Sequence, residues 1–296
     1  MRRIGLIAAL AGAFAGGGAA RTEPVTVRDA FDRRVTVPEP PQRIVTIFAS
    51  NTEMVAEIGL AGRIVGIEAY TRYPPEVLNR PLVGGRLGFS VDEVVAQRPD
   101  LVVVTPSRQA ANQLIQPMER LGIPIVVLLQ RNVAEILSNI RLLGRLGGVA
   151  ERGEELAAGL QARLDRIERR VAGLKPPSVV MITGRLGSGL LLVTRPGTYT
   201  GDAVVRAGGR LAFDGGVIAQ VSPEAVFKAD PDMLLFTGSD KDMKELIGRP
   251  GWSDMRAVRT ERAYAVSRTE LLIPGPRTID GIERLAAIFH PMAPNQ

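Results

Sequence analysis

The stretch GVAERGEELAAGLQARLDRIERRVAGL, residues 148–174, decides how the rest of the chain is read. Leu156, Leu160, Leu164, Ile167, Val171 and Leu174 recur at steps of three or four, while Glu154, Glu155, Arg163, Asp165, Arg166, Glu168 and Arg169 fill other positions. That is one apolar stripe and one charged face of a helix. At ~1.5 Å of rise per residue, about 24 residues make a rod of roughly 36 Å, the height of an ordinary domain. Pro176 and Pro177 are expected to stop it. Taken alone, the stretch also suits an amphipathic helix packed on one domain. Similar patterns on both sides of it favour a spine between two lobes.

Before the helix, RIVTIF (43–48) leads into Ala49, Ser50, Asn51 and Thr52, with helix over 53–58. RIVGI (63–67) leads into Glu68, Ala69, Tyr70, Thr71, Arg72 and Tyr73. DLVVVT (100–105) leads into a loop with Arg108, then a helix from about 111 to 121 and a strand in IPIVVLL (123–129). After the helix, SVVMIT (178–183), DMLLF (232–236) and AYAV (263–266) each run into a polar loop. Short continuous β-branched runs alternating with helices imply parallel sheets covered on both faces. SVDEVVAQRPDLVVV from Ser90 and SPEAVFKADPDMLLF from Ser222 also align without gaps, sharing Ser, an acid at the third place, Val at the fifth, and ProAsp before a strand. Ser90 and Ser222 suit helix N-caps, with Asp92 and Glu224 in the first turn, where the helix dipole favours acids. The expected fold is α/β: two doubly wound lobes with mainly parallel sheets, joined by one long α-helix, with a ligand cleft between them. The expected boundaries are 1–20 for a leader, 21–147 and 175–296 for the lobes, and 148–174 for the helix.

Composition bounds the function. The chain has 296 residues, 45% of them hydrophobic, enough for real cores. Arg2 and Arg3, an apolar run over 4–14 and small residues up to Ala20 form the three-part pattern of a secretory leader, and the run is too short to span a bilayer. Cleavage near Ala20 is expected. No Cys stands at that junction, so the expected product is an exported, soluble protein without a lipid anchor. The absence of Cys throughout excludes a disulfide scaffold and thiolate chemistry. Losing Arg2 and Arg3 takes the formal charge from +6 to +4, and the arginines form no dense run, which argues against nucleic acid. His290, the only histidine, excludes Ser-His-Asp and Cys-His nucleophilic sites and any zinc site built from His and Cys. Gly184, Gly187 and Gly189, like Gly84, Gly85 and Gly88, match no phosphate loop. No enzyme activity, cofactor or metal site is expected.

What recurs is arginine or tyrosine just past strand ends: Tyr70, Arg72, Tyr73, Arg86, Arg108, Arg185, Arg268 and Arg277, with Ser50 and Asn51 in the first such loop. In open parallel sheets ligands bind beyond the carboxyl ends of the strands. Guanidinium groups there suit anionic oxygens, and tyrosine can stack on a ring or give oxygen to iron. Each arginine taken singly also suits a solvated loop.

Residues 40–67, 73–85, the two matched segments and 251–266 together resemble the substrate-binding proteins of ABC importers for iron chelates, haem and vitamin B12, over essentially the whole mature chain. The resemblance implies a monomer that binds its ligand between the lobes. It also implies an inner-membrane permease as partner, met by an acid from each lobe. By position these are Asp92, with Glu93 beside it, and Glu224. The family usually has Glu at both places, so Asp92 leaves open which of the two neighbours makes the contact. YPPEV and VGG resemble the B12 branch, whereas the post-strand arginines and 4% aromatic content favour an anionic ligand. The expected order is an iron complex (ferric siderophore or haem) first, a corrinoid second and a bare oxyanion third. An exported α/β enzyme and a ligand-sensing module are the readings from other classes. Two lobes tied by one helix and little else should close by a small tilt, with Gly153 and Gly159 the only places for it to bend.

Overall fold

The computed structural model describes residues 23–85, 88–105, 108–213, 215 and 220–291. The expected leader, 1–20, lies outside them. In chain order come β1 (Val25–Arg28), β2 (Arg34–Val37), β3 (Ile44–Ile47), α1 (Ala49–Val55), β4 (Ile64–Glu68), β5 (Leu82–Gly85), β6 (Gly88–Phe89), α2 (Val91–Ala96), β7 (Leu101–Val104), α3 (Arg108–Arg120), β8 (Ile125–Val127) and α4 (Val133–Leu146). Then follow α5 (Ala150–Val171), β9 (Ser178–Arg185), β10 (Leu191–Val193), α6 (Tyr199–Arg206), β11 (Arg210–Leu211), β12 (Gln220–Val221), α7 (Pro223–Ala229), β13 (Met233–Thr237), α8 (Asp240–Ile247), α9 (Arg256–Arg259), β14 (Ala263–Val266), α10 (Arg268–Leu271) and α11 (Thr278–Phe289).

Two six-stranded sheets result, one on each side of α5 in sequence. The first runs β6-β5-β4-β3-β7-β8, parallel except for the terminal β5/β6 pair. The second runs β12-β10-β9-β13-β14 with β11 beside β9, and here β10 pairs antiparallel with both neighbours. The parallel centres follow from the continuous apolar runs, since successive side chains point to opposite faces and both faces must be covered. Leu101 and Val103 of β7 join one core while Val102 and Val104 join another. The second sheet repeats this: Val179 and Met181 face the shared core, Val180 and Ile182 face a separate one with Trp252.

Helix α5 is shorter than 148–174 at both ends. Gly148 (φ 71°) and Gly173 (φ 76°) bracket it in left-handed conformations, so a glycine ends the helix before Pro176 and Pro177 are reached. Leu174 falls off the stripe and is 47% exposed. Its buried face is Ala157, Leu160, Leu164, Ile167 and Val171. Gly153 serves packing: a Cβ there would stand 3.0 Å from Gly144 Cα, and one on Gly144 2.9 Å from Gly153 Cα, so α4 and α5 cross with nothing between their backbones.

The halves are tied by more than this helix. The core containing Leu160 and Ile167 runs without a break from Val27 and Ile58 to Met233 and Phe289. Asp202 of α6 accepts a hydrogen bond from the Val133 N–H at the start of α4 (2.8 Å) and pairs with Arg206, which pairs in turn with Glu168 of α5. Arg163 of α5 bridges Asp280 and Glu283 of α11.

The two matched segments adopt one design. The Ser90 hydroxyl accepts from the Glu93 N–H at 3.2 Å, and the Ser222 hydroxyl from the Ala225 N–H at 3.4 Å. Eight residues beyond each serine the chain turns left-handed, at Arg98 (φ 46°) and Asp230 (φ 36°). The aspartate of each ProAsp then fastens the neighbouring strand: Asp100 accepts from the Gln42 and Arg43 N–H groups, Asp232 from that of Ser178.

Candidate functional site

The carboxyl ends of β3, β4 and β5 open onto a cavity of about 600 Å³ whose far wall is Leu272, Ile273 and Pro274, just beyond α10. A larger depression of about 800 Å³ lies by the start of α4 and Arg210, near the amino ends of β9 and β11. Ligands of open α/β sheets sit at the carboxyl ends, so the smaller cavity is the candidate site.

Its lining is aromatic and apolar. Phe48, immediately after β3, and Tyr70, two residues after β4, are 48% and 54% exposed and both line it, as does Phe89 of β6. Gly84 lets β6 pair closely beside β5, since a Cβ on it would stand 3.0 Å from Phe89 Cα, and a Cβ on Gly85 would stand 3.3 Å from the Ala69 side chain. Glu68 is the one charged lining residue among those described. Burial holds its carboxyl above the usual carboxylate pKa, outweighing the nearby Tyr70 and Ala49 backbone and Arg72, which act to lower it. It stands at the start of α1, whose N-cap residue, Phe48, supplies no side-chain cap.

Helix α1 begins four residues before the expected 53–58, so Ser50 and Asn51 lie within it and not in a loop. Ser50 is buried and lines the cavity. Asn51 is occupied internally: its amide donates to the Ile47 carbonyl (2.7 Å) and accepts from Thr105 (3.1 Å) and Gln130 (3.3 Å).

The arginines are placed differently from the expected cleft lining. Arg72 donates to the Ala69 and Thr71 carbonyls at 2.7 and 2.8 Å, bracing its own loop. Arg185 pairs with Glu245 at 3.4 Å, and Arg268 donates to the Thr237 carbonyl at 3.2 Å. Arg277 pairs with Glu53 of α1 at 2.7 Å, its guanidinium 4.4 Å from the Tyr73 ring centroid, and the Tyr73 hydroxyl donates to Glu57 at 2.9 Å. None of these four arginines, nor Tyr73, is among the residues lining the cavity. Burial outweighs the arginine and raises the Glu53 pKa, while the Glu57 hydrogen bond raises that of Tyr73. Arg86 lies outside the described residues, and Arg108 opens α3 with its side chain outside them too. Ser50 and Tyr70 are thus the expected residues brought together at the cavity. Phe48, Glu68, Phe89 and Leu272–Pro274 are additions, which the same rule of position after a strand would have found for Phe48 had it been applied to every residue type.

Asp92, Glu93 and Glu224 are exposed in the first turns of α2 and α7. Hydrogen bonding from Ser222 holds Glu224 below the usual carboxylate pKa. His290 packs its ring against the Gly208 carbonyl at 3.1 Å. Among the described residues no cluster of His, Cys, Asp and Glu could hold a metal, and no helix is long and apolar enough to cross a membrane.

The sequence and the fold are similar to those of known binding proteins. A family model described as periplasmic binding protein matches residues 44–268, about three quarters of the chain. An uncharacterised ABC transporter substrate-binding lipoprotein of Bacillus subtilis is 28% identical over 90% of this chain and 86% of its own length. A vitamin B12-binding protein of Vibrio cholerae is 24% identical over 84% of this chain and 89% of its own. Among solved structures, a periplasmic heme-binding protein of Pseudomonas aeruginosa superposes with a TM-score of 0.75 at 28% identity, covering 86% of this chain and 94% of that one.

Proposed function

The chain belongs to the periplasmic binding protein family, and from that premise we propose that it captures an iron complex, haem before ferric siderophore, and delivers it to the permease of an ABC importer without catalysing a reaction. The lining of the cavity carries this reading: Phe48, Tyr70 and Phe89 with the Leu272–Pro274 wall suit the face of a large flat ring, which aromatic side chains hold by offset stacking. Its volume falls in the ~300–1,000 Å³ range of cofactor-sized sites. Tyr70, an exposed lining residue, carries the kind of oxygen that holds haem iron in some proteins. The likeness to the heme-binding protein supports the same choice. A corrinoid is the second reading, favoured by the same lining and by the Vibrio cholerae relative. An anionic ligand selected by arginines loses support, because Arg72, Arg185, Arg268 and Arg277 bind partners within the protein.

Titration of the purified chain with haem, cobalamin and a ferric siderophore, followed by visible absorption and native mass spectrometry, tests the proposal. The expected result is a one-to-one haem adduct whose iron absorption band shifts in Tyr70→Phe. A one-to-one cobalamin adduct, indifferent to Tyr70→Phe, would establish the second reading. Binding of none of the three would sink both.

A further inference from the structure

The wall formed by Leu272–Pro274 follows α10 in the carboxyl-terminal part of the chain, yet it is fastened to the amino-terminal part. Glu53 of α1 is 1% exposed, and its two oxygens accept from Arg277: one from the guanidinium at 2.7 Å, the other from the backbone N–H at 3.3 Å. Gly275 lies so close that a Cβ there would stand 3.0 Å from the Glu53 carboxylate. Tyr73, on the loop after β4, lies against the Arg277 guanidinium and is itself held by Glu57, one turn beyond Glu53. Only Gly275 and Pro276 separate the wall from Arg277, and the prolines at 274 and 276 restrict the backbone between them, so the position of the anchor is passed to the wall.

The pair is poorly suited to a purely stabilising role. A buried ion pair bears a desolvation cost that hydrophobic residues of similar volume would avoid, and Arg277 Nε is buried with no hydrogen-bond partner. We propose that Glu53, Arg277 and Tyr73 are positioning residues: they pin the Leu272–Pro274 wall to α1, so that this side of the cavity moves with the amino-terminal half and the cavity opens elsewhere along its rim. The functional part of this rests on the cavity being the ligand site.

The test compares the full chain with Glu53→Gln and with the double variant Glu53→Leu/Arg277→Met. Thermal unfolding, hydrogen exchange at the Ile273, Gly275 and Arg277 amides, and titration with haem and with cobalamin are measured on each. The double variant is expected to keep its thermal midpoint, to exchange those amides faster, and to bind the probe that the wild type binds about tenfold more weakly. Glu53→Gln, which removes the charge and keeps one of the two acceptor oxygens, should shift exchange and affinity in the same sense by less. Unchanged exchange in the double variant overturns the pin, and faster exchange with unchanged affinity overturns its positioning role. Loss of folding in the double variant would make the pair structural and overturn the proposal as well. A wild type that binds neither probe counts against the functional reading, and the exchange measurement then decides the pin by itself.

Discussion

Phe48 holds a bulky ring on a backbone that favours glycine: φ 86° and ψ 133°, in a residue 48% exposed and hence not forced there by burial. Such a conformation costs about 1–3 kcal/mol and persists only when the surroundings impose it. Here the buried Glu68 carboxylate lies beside the backbone of both Ala49 and Tyr70, where the turn after β3 meets the loop after β4. Phe48→Gly should therefore relieve strain while removing the ring. After allowance for the greater freedom of glycine in the unfolded chain, the thermal midpoint should rise by about 2 °C, while affinity for haem falls. Phe48→Ala should lose affinity equally without the gain. Parallel melts and titrations check this, and a glycine variant no more stable than the alanine variant would refute the strain. The difference between legible and illegible residues has the same physical basis. Ser50 and Tyr70 reached the cavity because position after a strand is a local property. Arg277 did not, because its partner Glu53 lies 224 residues away and nothing local announces that contact.

Elements were legible wherever several residues repeat one period. The central strands and α5 carry enough buried positions for that, and the paired segments from Ser90 and Ser222 match down to cap, left-handed turn and strand-fastening aspartate. Strands β6, β11 and β12, two residues each, and β10, three, are too short to show any period, so the antiparallel edge of the second sheet stayed hidden. The turn that carries α1 into residues 56–60 as a wider helix, with Gly59 at φ 83°, was hidden for the same reason. The equivalence of α2 and α7 has a functional corollary. If their exposed first-turn acids are the two contacts with a permease, then Asp92→Lys/Glu93→Lys/Glu224→Lys should leave ligand affinity intact while lowering uptake on the order of tenfold or more. Uptake by the reconstituted importer measures it, and the single changes at Asp92 and Glu93 show which neighbour docks. Undiminished uptake with all three acids reversed would dismiss this surface.

For the whole molecule, the expectation of a stiff connection rests on more than the helix alone. Of the two glycines where a lone rod could bend, Gly153 has α4 directly against it, so bending there would drive two backbones together, whereas Gly159 faces open space and leaves the restraint to the surrounding core and ties. The shared core continues through α4, α5 and α11, and two polar ties, Asp202 to the start of α4 and Arg277 to Glu53, also link the halves. Opening the cleft widely would expose the core and break both ties together. A small tilt costs neither, because side-chain hydrogen bonds tolerate changes of a few tenths of an ångström. Solution scattering profiles with and without bound haem or cobalamin should therefore nearly superimpose, and a large change in radius of gyration on binding would contradict the argument. If the ties limit the motion, Asp202→Ala combined with Glu53→Leu/Arg277→Met should broaden the ligand-free profile while α5 stays intact. If the helix and core suffice, that variant should scatter like the wild type, and the ties would then matter for the position of the cavity wall and not for the opening of the cleft.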